Sequence, residues 1–305
     1  MVRLPKSTTA QATGNKNHTD LLQNIHFIDK SFDYVNVDKY HMSLQVFLKG
    51  FSFSVLDRER NKYVALAHYQ FNRVTSFRTL AKQIDAIFDS EPLLQCRFSH
   101  VKLLFATTDY TFVPAAYFAE NEKEVWFRFN QELQRGHELM SNYIFGNSSY
   151  VVFSIPTVLA DVFRARFSAI KFYHQSVPMI EDLTLRSKLE SGDKRVYVNL
   201  MPAFFDFVLV DNGEIALYNT FSYKSTDDFN YFFLNAVDSL RLPPTTVPVN
   251  VCGILPANST IMESMKKYVR NIGYFAMPSH FEYAYGFNDI PSHYFTNMIN
   301  LYQCG

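Results

Sequence analysis

An internal repeat limits most strongly how this chain can fold. The pattern Phe-x-Phe-x-x-x-Asp, which begins at Phe51, recurs at Phe205. In both places it is followed by a turn-forming segment and then by another apolar run. Two copies of one local pattern, separated by about half of the chain, predict two structural units of the same kind.

The second copy has the pattern of three consecutive antiparallel strands within residues 195–221. Asn212-Gly213 is the strongest hairpin signal in the sequence, because both residues tolerate the positive φ angles that a tight turn needs. Side chains alternate between the two faces of a strand. Ile215, Leu217 and Asn219 are therefore predicted to share one face of the strand after the turn.

Helices and strands are predicted in the same order in both halves. Three strands are followed by helix, strand, helix and strand, and apolar strands that alternate with helices are typical of α/β domains covered on both faces. Ser76 is predicted to cap a helix over 77–88, and residues 115–134 are predicted to be helical. Thr260 and Glu263 form a possible capping box for a later helix.

The length of 305 residues is sufficient for two domains, each with its own core. We expect a disordered tail at 1–20, a first lobe at 21–167 and a second lobe at 168–305. The 30 Phe and 19 Tyr residues have two interpretations, either aromatic-rich cores or an aromatic surface for a partner.

Charge and cysteine content exclude several classes of protein. Lys plus Arg and Asp plus Glu number 29 each, so no global field favours nucleic acid or an anionic membrane. Cys96, Cys252 and Cys304 are far apart and form no CxxC pair, which argues against a zinc site or a disulfide framework. No apolar run is long enough to span a bilayer, and the first twenty residues lack the apolar run of a signal peptide. These features predict a cytoplasmic protein without a membrane span.

The repeated order of strands and helices, over residues 42–277, resembles the actin-like ATPase (ribonuclease H-like) fold. That superfamily includes actin, Hsp70, sugar kinases and the pilus-assembly ATPase of the PilM/FtsA type. The segment Tyr197–Gly213 looks like its second phosphate-binding hairpin. The resemblance implies two similar lobes, each with a mixed sheet flanked by helices.

The whole chain also resembles a bacterial family, domain of unknown function 3822. Three segments carry this resemblance: Gly50–Phe53, Asp227–Tyr231 and Asn300–Cys304. The family implies an actin-like fold with no assigned activity.

The superfamily resemblance implies three sequence motifs that line the nucleotide cleft. Each of them is only partly present in this chain. In both hairpins of the superfamily an Asp holds hydrated Mg²⁺, and a nearby Gly admits phosphate to the backbone. Leu48 stands in the carboxylate position before Gly50, and Asn199 stands in the second one, before Met201. The third cleft position of the superfamily is a pair of glycines against which adenosine packs. Only one glycine, Gly253, is present at that position here.

Gly50, Asn199 and Gly253 are thus the candidate cleft residues, and no catalytic residue and no metal ligand is predicted. Loss of both aspartates removes most of the attraction for a metal–triphosphate, so no cofactor is expected. Gly50 and Gly253 also have a purely structural interpretation, in which the absence of a side chain allows a tight turn and a strand-to-helix junction.

Other candidate chemistry is weaker. Asp206 and Asp211 are five residues apart, which places them on opposite faces of a strand and argues against an acid–base pair. His280, His293, Glu282 and Asp289 could bind a metal, but their spacing matches no known ligand pattern. Two basic groups stand outside these motifs: Lys266, Lys267 and Arg270, and Arg164, Arg166 and Lys171. Nucleic-acid binding would need them to form one contiguous patch.

Three functions remain open from the sequence. The first is a pseudo-ATPase that binds a protein partner or acts as a scaffold. The second is a noncanonical nucleotide or small-ligand binder that uses the inter-lobe cleft near Gly50, Asn199 and Gly253. The third is an RNA-associated accessory, which would need a basic patch that bridges the two Lys/Arg groups on a chain of neutral net charge.

Overall fold

The computed structural model describes residues 24–71, 74–188, 194–254 and 259–305. The tail predicted at 1–20 lies outside these residues. The described chain forms three β-sheets with helices packed on their faces.

A seven-stranded mixed sheet, called the main sheet below, forms the core of the first lobe. Its order is β1-β4-β3-β2-β5-β9, with β15 added beside β4. Strands β1, β4, β3 and β2 each pair antiparallel with the next strand in this order. Strand β5 then pairs parallel with β2, and β9 pairs parallel with β5. The strands are β1 Asn24–Ile28, β2 Tyr40–Phe47, β3 Gly50–Asp57, β4 Lys62–Gln70, β5 His100–Phe105, β9 Lys171–His174 and β15 Glu282–Tyr283.

Every residue of β2 and β3 is buried because both faces of the main sheet are covered. Helices α1 (Phe77–Ser90) and α3 (Thr157–Arg166) pack their apolar stripes on one face. The predicted cap of α1 is confirmed, since Ser76 Oγ accepts the Thr79 amide at 3.2 Å. Helix α4 (Ser176–Ser187) and the C-terminal segment cover the other face.

A small three-stranded sheet is inserted after β5, with the order β6-β8-β7. Its strands are β6 Tyr110–Pro114, β7 His137–Ile144 and β8 Ser149–Pro156. The prediction of one helix over residues 115–134 is wrong, because only α2 (Lys123–Asn130) is α-helical in that segment. Two short 3₁₀ turns precede α2, and its side chain Phe127 packs on Val113 and Val152 of the sheet. This tertiary packing, rather than helix propensity, decides where the helix lies.

The second lobe is built on a five-stranded sheet of order β12-β11-β10-β13-β14. Its elements are β10 Arg195–Leu200, β11 Phe204–Asp211, β12 Glu214–Ser222, β13 Val249–Gly253, β14 Ile272–Tyr274, α5 Thr226–Ser239 and α6 Thr260–Tyr268. A Ser225–Asp228 capping box begins α5. Helix α6 is capped by Ser259, and the capping box predicted at Thr260 is wrong by one residue.

The predicted hairpin turn between β11 and β12 is confirmed, with φ of 51° at Asn212 and 82° at Gly213. One detail of the prediction is wrong. A β-bulge between Leu209 and Val210 shifts the pairing, so that Ile215 lies opposite Val210 while Leu217 lies opposite Leu209. Ile215 therefore packs on the face away from Leu217.

The two lobes repeat each other in detail. The first lobe has its own bulge, between Val55 and Leu56, at the same place in the repeated pattern as Leu209 and Val210. Since bulges alter strand twist at a defined point, the repeat extends from sequence pattern to backbone geometry.

Helix α4 and the C-terminal segment lie between the lobes. Helix α7 (Thr296–Asn300) contacts β2 and β3 of the first lobe as well as β13 of the second. Strand β9, which follows the predicted boundary at 168, hydrogen-bonds with β5, and β15 pairs with β4. The division at residue 168 stays a prediction.

Candidate functional site at the junction of the lobes

The hairpin turns of the two lobes face one another across a pocket of about 220 Å³, here called the cleft pocket. The turn between β2 and β3 contributes Phe47, Leu48 and Lys49. The turn between β10 and β11 contributes the segment 201–204, and the segment 106–109 after β5 closes the third side. The repeat thus brings together the β2–β3 and β10–β11 hairpins, one from each lobe.

The floor of the cleft pocket is apolar. Phe47, Met201 and Phe204 are buried in one core cluster that draws side chains from both lobes. The Tyr223 hydroxyl donates to the Met201 carbonyl at 2.5 Å and holds the second turn in place. Among the residues that line the pocket, Asp109 is the only carboxylate and Lys49 the only cation.

Gly50 is covered by an aromatic ring. A Cβ built on Gly50 would lie less than 3.0 Å from three ring carbons of Phe47. The Phe47 side chain therefore occupies the space that the missing Gly50 side chain leaves free, and this packing requires a glycine.

Gly253 is needed for close contact between strands. Its φ is 112°, and a Cβ there would lie less than 3.0 Å from the backbone N, C and O of Leu200 in the paired strand β10. The Gly253 amide donates to the His293 carbonyl at 3.0 Å, which ties β13 to the C-terminal segment.

Asn199 lies in the interior of the second lobe, only 3% exposed. Its Nδ2 donates to Asp206 Oδ2 at 2.8 Å across the β10–β11 pair. Its Oδ1 accepts from Cys252 Sγ at 3.7 Å. Both polar atoms of the amide are thus occupied by neighbouring strands.

Asp206 is the centre of this group and is fully buried. Its Oδ1 accepts the Thr220 hydroxyl at 2.6 Å and lies 3.5 Å from Gln175 Nε2, while Oδ2 accepts Asn199. Burial raises the pKa of the Asp206 carboxyl, and the hydrogen bonds from Thr220 and Asn199 oppose that shift.

The polar network continues into the first lobe. Gln175, at the beginning of α4, exchanges two hydrogen bonds with the Thr107 backbone, at 2.8 and 3.1 Å. The Tyr110 hydroxyl lies 3.0 Å from Thr220 Oγ1. Asp206, Asn199, Thr220, Gln175, Thr107 and Tyr110, here called the junction network, therefore join the lobes by polar contacts.

His174 supports this junction from the first lobe. Its Nε2 lies 3.1 Å from the Thr107 carbonyl, and its Nδ1 lies 2.7 Å from Ser176 Oγ. Burial lowers the pKa of His174 to about 3, so the imidazole is neutral at physiological pH. A neutral ring that carries its proton on Nε2 donates to Thr107 and accepts from Ser176.

The strand pairing corrects one assignment made from the sequence. Asn199 lies opposite Asp206 in the second lobe, and Gln45 lies opposite Ser52 in the first. Because the two patterns coincide, Gln45 rather than Leu48 is the counterpart of Asn199. Leu48 belongs to the turn itself, three residues further along, so alignment on Gly50 placed the first motif in the wrong register.

Asp206 and Gln175 were not predicted as site residues. Asp206 carried a usable signal, since it is a carboxylate within an otherwise apolar strand, and a buried charge needs partners. Gln175 carried no such signal in the sequence, because only the packing of helix α4 brings its side chain close to β11. Asp211 lies apart from Asp206, at the hairpin turn, where it accepts from Asn212 Nδ2 at 3.0 Å.

The histidine-rich segment does not form a metal centre. His293 stacks on Tyr274 at 4.1 Å, and His280 Nε2 lies 2.9 Å from Gln303 Nε2. Across residues 24–305, apart from the three gaps, no group of three or more His, Cys, Asp or Glu side chains is arranged to hold a metal ion.

The two basic groups noted in the sequence differ in their partners. Arg164 forms a bidentate ion pair with Glu138, and Arg166 bridges Asp85 and Asp89 at 2.7 Å. Lys266 and Lys267 lie in the last turn of α6, where positive charge is favoured by the helix dipole.

None of the helices in the described part of the chain is both long and apolar enough to cross a bilayer.

Two solved structures resemble this chain over most of their length. A protein from Bacteroides thetaiotaomicron with an actin-like ATPase fold and unknown function gives a TM-score of 0.76 at 22% identity, covering 90% of this chain and 99% of that one. The PilM-PilN type IV pilus biogenesis complex gives 0.54 at 10% identity, covering 86% and 97%. The predicted actin-like fold is confirmed by these similarities.

A search of curated proteins returned no significant match. The family model described as protein of unknown function (DUF3822) matches residues 29–272, which is well over half of the chain. This match agrees with the resemblance carried by Gly50–Phe53 and Asp227–Tyr231. The chain belongs to the DUF3822 family and has the actin-like ATPase fold.

Proposed function

We propose that this protein is a non-catalytic actin-like module, located in the cytoplasm, that acts by binding a protein partner. The observation that carries the proposal is the cleft floor, which is filled by Phe47, Met201 and Phe204 from both lobes. The free cysteines Cys96 and Cys252 are consistent with a reducing compartment.

The residues at the cleft do not fit a Mg²⁺–nucleotide. Mg²⁺ is usually held through carboxylates and water. At the two hairpins the matching positions are Gln45 and Asn199, and the Asn199 amide is already engaged by Asp206 and Cys252. Phosphate would also need bare backbone, whereas Gly50 faces the Phe47 ring. No hydrolytic step is therefore assigned to this site.

Apolar and polar contacts join the two lobes, which suits a scaffold. Tyr110 and Phe112 of β6 pack edge-on against Tyr218 of β12, with ring centroids 6.1 and 5.5 Å apart. The junction network adds hydrogen bonds beside these rings. A body held by both apolar and polar contacts presents a constant surface to a partner.

An aromatic strip on the small sheet is the surface that best suits a protein partner. Phe118 stacks on Tyr150 at 3.9 Å, Tyr150 lies 5.1 Å from Tyr143, and Tyr143 lies 4.7 Å from Phe145. Phe145 is 65% exposed. Aromatic side chains are enriched at protein interfaces, where they supply much of the binding energy. The PilM structure, which shares the fold, contains PilN as partner.

We expect Phe145→Ala to weaken partner capture by about thirtyfold, the loss of about 2 kcal/mol that is typical of an interface hot spot. The substitution should hardly change stability, since the side chain is largely exposed. The measurement is quantitative crosslinking of the full chain in its native cells. Tyr285→Ala, at an aromatic side chain outside the strip that is also largely exposed, is the control.

Equal capture by the Phe145 variant and the wild type would refute the aromatic strip as the interface. Hydrolysis of Mg–ATP by purified protein, abolished by Asn199→Ala, would refute the non-catalytic assignment.

Small-ligand binding in the cleft pocket is the second candidate. It is favoured by the combination of Lys49, Asp109 and Thr108 at the mouth of a pocket whose floor is apolar. This chemistry suits a compact polar molecule that does not require a metal.

Thermal unfolding with a panel of nucleotides and sugars separates the two candidates. A ligand at about one hundred times its dissociation constant would add about 2.7 kcal/mol of stability, which raises the melting temperature by several degrees. We expect no shift that depends on Lys49. A shift that disappears in Lys49→Ala and persists in Lys82→Ala, an exposed lysine on α1, would replace the first candidate with the second.

A further inference from the structure

A second pocket, of about 320 Å³, lies at the opposite end of the main sheet from the cleft pocket. It opens where β2, β5 and β9 begin, whereas the cleft pocket lies where β2 and β5 end. We call it the basic pocket because Arg58, Lys102 and Lys171 line it.

The cations of the basic pocket form no ion pair with an acidic side chain among the described residues, although Asp38 and Glu59 lie near Arg58 on its other side. No Asp or Glu is among its lining residues, and Arg58, Lys102 and Lys171 form no ion pair within 4.0 Å in the part of the chain that the structure describes. The nearby Asp38 carboxylate accepts the Ser99 hydroxyl at 2.6 Å instead. Arg164 and Arg166, in contrast, are paired with carboxylates.

Lys102 is held in a fixed position at the pocket. Its Nζ donates to the carbonyls of Tyr302, at 2.9 Å, and Cys304. An ammonium group has three donors, so one remains for a ligand. Because two backbone carbonyls position the charge in advance, a ligand would not have to order this side chain.

The positive charges of the pocket act on one another. Burial lowers the pKa of Lys102, Cys304 opposes this shift, and the charge of Lys171 adds to it. At the pocket floor, burial lowers the pKa of His41 to about 3, with further contributions from Lys102, His100 and Arg58. An anion in this position would relieve the repulsion among these groups.

We propose that the basic pocket binds a small phosphorylated ligand through Arg58, Lys102 and Lys171. A phosphate group concentrates about two negative charges in a small volume, which matches three cations around one pocket. The Arg58 guanidinium can bind two phosphate oxygens at once, and the lysines act as point charges. The volume is sufficient for a diphosphate, or for one phosphate with a small organic group. The site is independent of the cleft pocket and of the aromatic strip.

The test is calorimetric titration of the full chain with inorganic pyrophosphate at low ionic strength. We expect saturable binding that Arg58→Ala and Lys171→Ala each weaken about tenfold or more, as loss of a charge-assisted contact predicts. Lys171→Arg should retain binding because it keeps the charge. Lys82→Ala removes an equally exposed lysine elsewhere and should leave binding unchanged. Arg58 and Lys171 are exposed, so their loss should not unfold the protein.

Four results would overturn the proposal. The first is absence of pyrophosphate binding by the wild type, and the second is an equal loss in Lys82→Ala. The third is loss of binding in Lys49→Ala with retention in the Arg58 and Lys171 variants, which would move the site to the cleft pocket. An acidic peptide that binds more tightly than pyrophosphate would likewise show that the pocket serves protein segments and not phosphorylated small molecules.

Discussion

Gly253→Ala is expected to destabilise the protein by about 3 kcal/mol or more, because it combines backbone strain with a steric clash. The new Cβ would overlap the Leu200 backbone, which cannot move without disrupting the β10–β13 pair. The φ of 112° at Gly253 adds strain for any residue with a side chain. The measurement is the free energy of unfolding in urea.

Gly136→Ala provides the matched control, since Gly136 also has a positive φ, of 80°, but has no atom within 4 Å of the Cβ position. It should cost only about 1–2 kcal/mol, the strain of the left-handed conformation alone. If both variants lost the same amount of stability, the close contact with Leu200 would not be what requires Gly253.

Asp206→Ala is expected to cost about 3 kcal/mol of folding free energy. It removes the acceptor of two buried donors, Asn199 Nδ2 and the Thr220 hydroxyl, and leaves a cavity at the junction. Asp211→Ala, in the same strand but at the hairpin turn, should cost far less. Urea unfolding of both variants checks this, and equal losses would show that the junction network adds nothing to stability.

The charge of Asp206 can be separated from its hydrogen bonds by changing pH. Its pKa in the folded protein is raised above the ordinary value of 3.8, with burial as the largest cause. Its contribution to stability is therefore complete below the unfolded pKa and is lost as pH rises through the folded pKa.

Asp206→Asn stays neutral at every pH and should gain stability relative to the wild type as pH rises. The comparison is urea unfolding at about pH 3, below the ordinary value of 3.8, and at about pH 8, where linkage predicts the larger relative gain at the higher pH. A relative gain at the lower pH instead would mean that the folded pKa is depressed, and that the hydrogen bonds outweigh burial.

Local patterns allowed the fold to be predicted to a useful degree. The turn at Asn212-Gly213, the helix cap at Ser76 and the repeat beginning at Phe51 and Phe205 were each visible within a few residues. The errors arose where tertiary contacts decide. The bulge at Leu209 depends on the pairing of two strands, and the short helix at 123–130 depends on packing against the small sheet.

The candidate site was predictable only in part. The two hairpin patterns predicted a site at the junction of the lobes, but the register of the first pattern is given only by the strand pairing, which places Gln45 opposite Ser52. Asp206 could have been noticed as a charge in an apolar strand. Its partner Gln175 could not, because helix α4 is placed by packing between lobes.

The sequence by itself determined the repeated strands and the turns between them, because strand alternation and turn chemistry act over a few neighbouring residues. Only the tertiary structure decided which distant groups meet. The junction network around Asp206 and the cations Arg58, Lys102 and Lys171 at the opposite end of the main sheet come from separate strands, helices and turns. Their meeting depends on how sheets and helices bury their apolar faces, and no local pattern records it.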